Sequence, residues 1–463
     1  MKGNILLSCV LYKHMSIYRP ASRTVDGAKM KKTAMIGLVI LAALAAPALG
    51  DGLTLKECLQ AALADNPFFK ESLLAVKASE QGVESAEGRR FPRLSIDATQ
   101  VFRQDAFPYI PAQALNIFPH FSDTFAAWGP TLTVPLYQGG QITKGIELAK
   151  IRMEIQGHAA GLTKNDLLAD TVNTYNKILQ LAAFRESERA SVAALEEQAQ
   201  NVRLLVNVGR AATVDLLKVE VQLANERQRL LTLEESLSTL EATLRFFMGE
   251  KVGGSRDPLV LSDFLSHPAV RADFPSGIEE AHSRRPEYLL AAKGVDEAAA
   301  VERITFGKLL PSLSASTGYI DQIGYQPWYQ EANWSVGINL NIPLFDKSIR
   351  ADLARDRIGQ EKTKERLQAV DSRIRLDIQS ALASLTDSGS RIDTAQKAVS
   401  QADESFRIER LKYGSGAGTM ADLLLTQAAD ITAAANYTQA LYDYNASVVA
   451  YRRATGTLEE YLK

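Results

Sequence analysis

Cysteine is nearly absent from this chain of 463 residues, which has only Cys9 and Cys58. The 52 Lys and Arg residues are almost balanced by 54 Asp and Glu residues, so no excess of positive charge marks a nucleic-acid surface. The five histidines are scattered, without the spacing of metal ligands. A glycine-rich phosphate loop and a nucleophile elbow are also lacking. The sequence therefore predicts neither an enzyme, nor a cofactor or metal site, nor a nucleic-acid partner.

Long apolar runs are missing as well, except in one segment near the N-terminus. Met30 and two lysines precede an apolar stretch at residues 34–49, and the small residues up to Gly50 fit a secretory cleavage site. We expect residues 1–50 to be an upstream extension plus a signal peptide, with Met30 as the true start. After cleavage only Cys58 would remain, which excludes an internal disulfide.

Proline is absent from two long windows, although the chain contains sixteen prolines. None lies between Pro135 and Pro258, and none follows Pro343. Both windows open with the same Pro-Leu-aromatic passage, 208 residues apart. Because proline disrupts a helix interior at a cost of about 3 kcal/mol, its absence permits very long helices. The repeated passage predicts an internal duplication.

Each copy is expected to begin with two helices. In the first copy Thr54 is a suitable N-cap, and the second helix runs from Pro67 to about Gly88. In the second copy the corresponding helices lie at 277–283 and 286–305. We therefore divide the chain into four parts: 1–50, a first repeat at 51–250, a linker at 251–275 and a second repeat at 276–463.

The proline-free windows predict two helical hairpins. The expected outgoing helices, turns and returning helices are 141–208, 209–213 and 214–248 in the first copy, and 348–413, 414–418 and 419–456 in the second. An outgoing helix of this length spans about 100 Å at 1.5 Å per residue.

Heptads run along both returning helices and predict coiled-coil packing. In the first copy the spacing is interrupted only at Glu226. The heptad residues are Leu216, Val219, Leu223, Leu230, Leu233, Leu237, Leu240, Leu244 and Phe247, and, in the second copy, Leu423, Asp430, Tyr437, Leu441, Tyr444, Val448 and Tyr451.

Alternating apolar and polar residues predict two strands in each copy, at about 93–103, 125–137, 311–321 and 333–345. The last strand is the clearest, since Trp334, Val336, Ile338 and Leu340 share one face. Alternation alone leaves a membrane strand and a sandwich strand equally open. Two loops rich in aromatic residues, 107–121 and 322–333, favour the membrane because aromatic girdles mark its interfaces.

Four strands are too few to close a membrane barrel, which needs about eight. Open sheet edges are excluded from hydrocarbon, because each unpaired backbone group costs several kcal/mol there. If the strands lie in a membrane, several copies must therefore join to close the sheet. The helical hairpins would then continue the ring as a hollow cylinder.

The order of the passages resembles the TolC-type outer-membrane efflux family over residues 51–463. The shared features are a leader, a first helix with Leu53-Thr54-Leu55 and Asn66-Pro67, strands opened by Pro92 and Pro311, the Pro-Leu-aromatic passages, and returning helices that end at Gly249 and Gly456. The resemblance implies a mixed α/β membrane protein with four strands and four long helices per chain. Its homotrimer would form a 12-stranded β-barrel in outer-membrane lipid, continuous with a 12-helix periplasmic α-barrel. The implied function is a passive exit duct for efflux or type I secretion, with a periplasmic adaptor and an inner-membrane pump as partners.

The hairpin tips carry the candidate functional residues. In a purely structural interpretation Thr213 and Thr419 are N-caps, and Asp215 and Asp422 face the positive end of each helix dipole. In the resembling family a tip Asp bonds a Tyr and an Arg of the second hairpin and holds the entrance closed. The matching gate candidates here are Asp215, Tyr413 and Asp422.

This sequence departs from the family pattern at two gate positions. Gly418 stands at the position of the Arg, and Leu425 at that of a second entrance Asp. We therefore expect a weaker or differently built gate and weaker cation block. The resemblance also places adaptor docking at the tips, at Gly209, Arg210, Thr213, Gly414, Gly416, Gly418 and Thr419.

Two alternatives belong to other classes of protein. A periplasmic coiled-coil adaptor or scaffold would have long hairpins without a pore, but a duplicated hairpin and aromatic-flanked strands are not expected in it. A self-sufficient porin would use its length for strands rather than for helices of about 100 Å.

Overall fold

The computed structural model describes residues 52–102, 124–250, 259–325 and 328–463. The predicted signal peptide and the predicted aromatic loop at 107–121 lie outside these described residues. None of the described helices combines the length and the apolar character needed to cross a membrane.

The described elements follow one order twice: two short helices, two strands and two long helices. The first copy contains α1 (Leu55–Asp65), α2 (Pro67–Gly88), β1 (Arg93–Phe102), β2 (Thr124–Gln138), α3 (Gln141–Asn207) and α4 (Thr213–Phe247). The second contains α5 (Phe274–Arg284), α6 (Pro286–Gly307), β3 (Ser312–Tyr325), β4 (Trp328–Asn341), α7 (Lys347–Gly414) and α8 (Met420–Thr455), followed by a short 3-10 helix, Leu458–Leu462. The predicted duplication is confirmed.

Local capping explains where the first helices begin. The Thr54 hydroxyl accepts a bond from the amide of Glu57 (3.3 Å), and the Glu57 carboxylate accepts one from the amide of Thr54 (2.8 Å). This capping box confirms Thr54 as the predicted N-cap. The next helix, α2, is capped by the Asn66 side chain, which accepts from the amides of Phe68 (3.0 Å) and Phe69 (3.2 Å).

Asn66 also fastens the first repeat to the end of its own returning helix. Its Nδ2 donates to the carbonyl oxygen of Phe247 (3.0 Å), and the residue is buried. Nearby, Gly249 has φ +83°, and a Cβ there would lie 2.5 Å from the carbonyl carbon of Asp65. Only glycine satisfies both the backbone angle and this close approach.

The second repeat forms the same junction with different side chains. Arg285 takes the place of Asn66, and its Nη1 donates to the carbonyl oxygen of Ala454 (3.3 Å) at the end of α8. Gly456 has φ +75°, and a Cβ there would lie 2.9 Å from the amide nitrogen of Arg285. The two X-Pro junctions, Asn66-Pro67 and Arg285-Pro286, thus occupy equivalent positions in the two repeats.

The strands form one antiparallel sheet in the order β1-β2-β3-β4. Strands β3 and β4 pair continuously from Ser312 and Asn341 to Tyr325 and Trp328. The prediction of a loop at 322–333 is therefore wrong: cross-strand pairing extends both strands to within two residues of each other.

The Pro-Leu-aromatic passages also differ from the prediction. Strand β4 ends at Asn341, so the passage that begins at Pro343 follows the strand instead of closing it. In the first copy the passage lies inside β2, where the pairing register shifts between Pro135 and Tyr137. Proline has no amide to donate, so it is tolerated at such an irregularity and after a strand end.

The apolar face predicted for the last strand is exposed in the single chain. Trp334, Val336, Ile338 and Leu340 are 58–77% exposed, and Leu94 and Ile96 of β1 are 69% and 72% exposed. An apolar face of this size on a sheet with two open edges needs a non-aqueous environment. This arrangement supports the prediction of membrane strands.

Each hairpin packs along its heptads, as predicted. Helix α3 has 67 residues, which corresponds to about 100 Å. Every predicted heptad residue of α4 and α8 is buried or half-buried. The interruption at Glu226 is also buried, at 1% exposure, so a carboxylate lies inside the coiled-coil core.

We expect Asn66→Ala to lower the free energy of unfolding by about 1–3 kcal/mol, because it removes a helix cap and leaves the partly buried carbonyl of Phe247 without this donor. Denaturant unfolding of the purified protein would measure the change. Asn225→Ala, on an exposed part of α4, is the matched control and should change stability by less than about 0.5 kcal/mol. Equal effects of the two substitutions would contradict this role of Asn66.

Candidate functional site: the hairpin tips

The first tip is closed by backbone hydrogen bonds. Gly209 adopts φ +72°, which turns the chain back after α3. The amides of Arg210 (2.7 Å) and Ala211 (3.2 Å) then donate to the carbonyl oxygen of Leu205. The side chain of Arg210 is exposed at the turn. The tip therefore presents a cation on a short backbone-stabilised loop.

The second tip is longer and carries more glycine. Helix α7 continues through Gly414, so this residue belongs to the helix and not to the predicted turn. Gly416 has φ +76°, and the amides of Ala417 (2.9 Å) and Gly418 (3.1 Å) donate to the carbonyl oxygen of Lys412. A Cβ on Gly418 would lie 3.1 Å from the amide nitrogen of Tyr413, so a larger residue would crowd this turn.

The two returning helices begin differently, although both were predicted to have a threonine cap. Thr419 is the N-cap of α8: its hydroxyl accepts from the amide of Asp422 (3.1 Å) and lies 2.6 Å from the Asp422 carboxylate. The prediction for Thr213 is wrong, because α4 has Ala212 as its N-cap and no side-chain cap. The amide of Asp215 instead donates to the carbonyl oxygen of Ala212 (3.0 Å).

Tyr413 lies beneath the tips, half-buried against an apolar cluster. The buried members of this cluster are Leu195, Ala199, Val202, Val219, Met420 and Leu423. Burial raises the pKa of Tyr413, and the negative charge of Asp215 raises it further. Asp215 of the first hairpin and Tyr413 of the second are therefore close enough to interact electrostatically.

Asp215 has another partner on its own helix. Its carboxylate lies 3.8 Å from Nζ of Lys218, and the described contacts of one chain include no hydrogen bond between Asp215 and Tyr413. The assignment of these residues to a gate stays a prediction. At the position where the family pattern has a second aspartate, Leu425 is 70% exposed.

The sequence analysis missed two further features of the tips. A groove of about 490 Å³ runs between the two hairpins and reaches Tyr413, with Phe406, Arg410 and Gln427 in its lining. Four apolar side chains near the first tip are 54–68% exposed: Leu204, Val208, Val214 and Leu217. A signal was available for Val214 and Leu217, which flank the heptad residue Leu216. No cluster of three potential metal-binding side chains occurs among the described residues.

The sheet and the hairpins together define a class of protein. An exposed apolar face, two open sheet edges and hairpins of about 100 Å are expected of membrane ducts that are assembled from several chains. The family model described as "Outer membrane efflux protein" matches residues 58–250 and 277–457. The chain belongs to this family.

Individual relatives agree with this assignment. The chain is 26% identical over 266 residues to the pyoverdine export outer membrane protein OpmQ of Pseudomonas aeruginosa, an alignment that covers 56% of this chain and 55% of OpmQ. It is 23% identical over 425 residues to TolC of Salmonella enteritidis, covering 88% and 82% of the two chains. The crystal structure of the Campylobacter jejuni channel CmeC superposes with a TM-score of 0.76 at 14% identity, covering 87% and 85%.

The predicted architecture is therefore confirmed. The fold is that of trimeric outer-membrane channels, in which three four-stranded sheets close one barrel and the helical hairpins continue it. The protein is an outer-membrane efflux channel that extends into the periplasm. The alternatives of a periplasmic adaptor and of a self-sufficient porin are wrong.

We expect Thr419→Ala to weaken the start of α8 by about 1 kcal/mol, because the amide of Asp422 loses its acceptor. Hydrogen exchange in the first turn of α8 would rise accordingly. Thr213→Ala is a control at the other tip and should leave exchange in the first turn of α4 unchanged, since Thr213 caps nothing. A similar response at both tips would contradict the distinction.

Proposed function

We propose that this protein is the passive exit duct of a three-part export system, in which a periplasmic adaptor joins its hairpin tips to an inner-membrane pump. The observation that carries the proposal is the placement of two kinds of surface on one chain. The sheet presents an apolar face, whereas the hairpins extend about 100 Å and end in short exposed turns. A duct with one end in lipid and the other deep in the periplasm needs both.

We propose further that Asp215, Tyr413 and Asp422 restrict the tunnel entrance. Asp215 starts the first returning helix, while Tyr413 lies on α7 of the second hairpin, within the electrostatic influence of Asp215. A contact between them would tie the two hairpins together at their tips. Because Gly418 supplies no guanidinium and Leu425 no carboxylate, this restriction is weaker than the family pattern implies.

The adaptor is proposed to dock at the seven residues named in the sequence analysis: Gly209, Arg210, Thr213, Gly414, Gly416, Gly418 and Thr419. Most of these are small, so a partner can approach the backbone closely. Arg210 provides an exposed positive charge, and the nearby exposed side chains of Val208 and Val214 provide apolar area. An apolar patch beside one charge is typical of a specific protein contact.

We expect the double variant Asp215→Ala, Tyr413→Phe to increase single-channel conductance in planar bilayers, because it removes a restriction at the entrance. The control is Glu220→Ala, which removes a carboxylate of the same helix that pairs with Arg203 (2.7 Å). Conductance equal to that of the unaltered trimer would rule out Asp215 and Tyr413 as the gate.

We expect Arg210→Glu to weaken capture of the periplasmic adaptor that is encoded with the pump, by about tenfold or more, because the substitution reverses the charge at the tip. Lys397→Glu is the matched control, since Lys397 is exposed on α7 about 26 Å by helix rise from Gly414 at the end of that helix. Site-directed cross-linking in cells would measure the contact. Unchanged cross-linking of the Arg210 variant would exclude this residue from the docking surface.

A further inference from the structure

The interruption of the heptads at Glu226 places a carboxylate in the core of the first hairpin. Glu226 is 1% exposed, although the neighbouring core positions of α4 are apolar. Its Oε1 accepts from Nε2 of Gln222 (2.6 Å), and both carboxylate oxygens lie near Nη1 of Arg229 (3.1 and 3.2 Å). The guanidinium compensates the charge of Glu226. A residue so placed is costly to bury and needs its partners.

A second carboxyl group faces Glu226 from the outgoing helix. Glu188 of α3 is half-buried, and its Oε2 is shielded from solvent without a hydrogen-bond partner. Burial raises the pKa of Glu188, the adjacent Glu226 carboxylate raises it further and Arg229 opposes both, so that the pKa lies at about 7. Two ionised carboxylates are both acceptors and cannot bond to each other. With a proton on Glu188, the same contact becomes a hydrogen bond.

The pair lies beside the joint between the two hairpins. A cavity of about 190 Å³ is lined by Glu188 and Arg229 of the first hairpin and by Ile431, Ala434, Ala435 and Thr438 of α8. This volume can hold several water molecules. Ionisation of Glu188 next to the cavity would therefore draw water into the contact between the hairpins.

The charged groups around the pair come from two helices. On α3, Arg185 lies about one turn before Glu188 and has a buried Nε without a partner, and Arg189 pairs with Glu234 (2.7 Å). On α4, Arg229 is the neighbouring cation. The described α8 residues that line the cavity carry no charge. The second hairpin can therefore respond to ionisation only through water and packing.

We propose that Glu188 holds a proton against Glu226 and that this protonated pair makes the joint between the two hairpins sensitive to periplasmic pH. When the proton leaves, it passes to water in the adjoining cavity, and the carboxylate that remains repels Glu226. The contact of α3 and α4 with α8 is then weakened. The contact between the two hairpins is therefore more stable at acidic pH than at neutral pH.

The direction of the pH effect follows from the sign of the shift. The pKa of Glu188 is raised in the packed state from an ordinary 4.5 to about 7, so the packed state binds the proton more tightly than an opened state does. The stabilisation is fully present below about pH 4.5 and is lost as pH rises towards 7. Above that pH the opening equilibrium levels off. The equilibrium constant for opening the contact between the hairpins should rise by up to about tenfold per pH unit within this window.

The first experiment measures hydrogen exchange of the intact trimer between pH 5 and pH 8, corrected for the intrinsic pH dependence of exchange. We expect opening of residues 183–191 and 431–438 to increase up to about pH 7 and then to level off. Glu188→Gln should abolish the increase, because glutamine stays neutral. Glu226→Gln should reduce the increase, because it removes the repelling charge but leaves Glu188 half-buried. Glu196→Gln, which breaks the ion pair of Glu196 with Arg227 (2.6 Å), is the matched control and should keep the increase.

Unaltered pH dependence in Glu188→Gln, or none in the natural chain, would overturn the proposal. A second measurement does not require the variants to fold equally well. Infrared titration of the natural trimer should show the carbonyl stretch of a protonated carboxyl group at pH 6 that disappears by pH 8. Absence of such a band, or its persistence in Glu188→Gln, would equally reject the shared proton. Neither measurement depends on adaptor docking or gating, so failure of the proposed duct mechanism would be distinguishable.

Discussion

The contact between the end of each returning helix and the X-Pro junction of its own repeat is the constraint on which the rest of the fold depends. Gly249 and Gly456 adopt positive φ angles there, and any Cβ would overlap the backbone of the junction. Each hairpin is thereby fixed at its base, next to the short helices that lead into the sheet. Small angular errors at the base of a helix of about 100 Å would become displacements of many ångströms at its tip.

The two repeats reach this common geometry by different chemistry. A neutral amide, Asn66, bonds to the end of α4, whereas the guanidinium of Arg285 bonds to the end of α8 and lies 2.8 Å from the Asp377 carboxylate. The tips differ too, because of the two returning helices α8 has a side-chain cap and α4 has none. The duplication has therefore preserved backbone positions more strictly than side chains. Three identical chains can in this way build a ring whose alternate hairpins have different properties.

Much of the fold could be predicted because it depends on local and periodic signals. Missing prolines gave the helix windows, and the heptads correctly identified the buried stripe of α4 and α8. The errors arose where the secondary structure of a segment depends on contacts that its own sequence pattern does not show. Pairing between β3 and β4 made strand of residues 322–325 and 328–333, and a start of α4 at Thr213 left that threonine inside the helix. Glu188 could not be singled out from the sequence, because it lies outside the assigned heptads and the carboxylate that influences it, Glu226, is on the other helix of the hairpin.

The open edges of the sheet have a consequence for how the protein reaches its place in the membrane. Within one chain β1 and β4 each pair on one side only, so a lone chain would bring unpaired backbone groups into hydrocarbon. Insertion and association are thus one event rather than two. The yield of finished channels should then depend steeply on the concentration of newly exported chains.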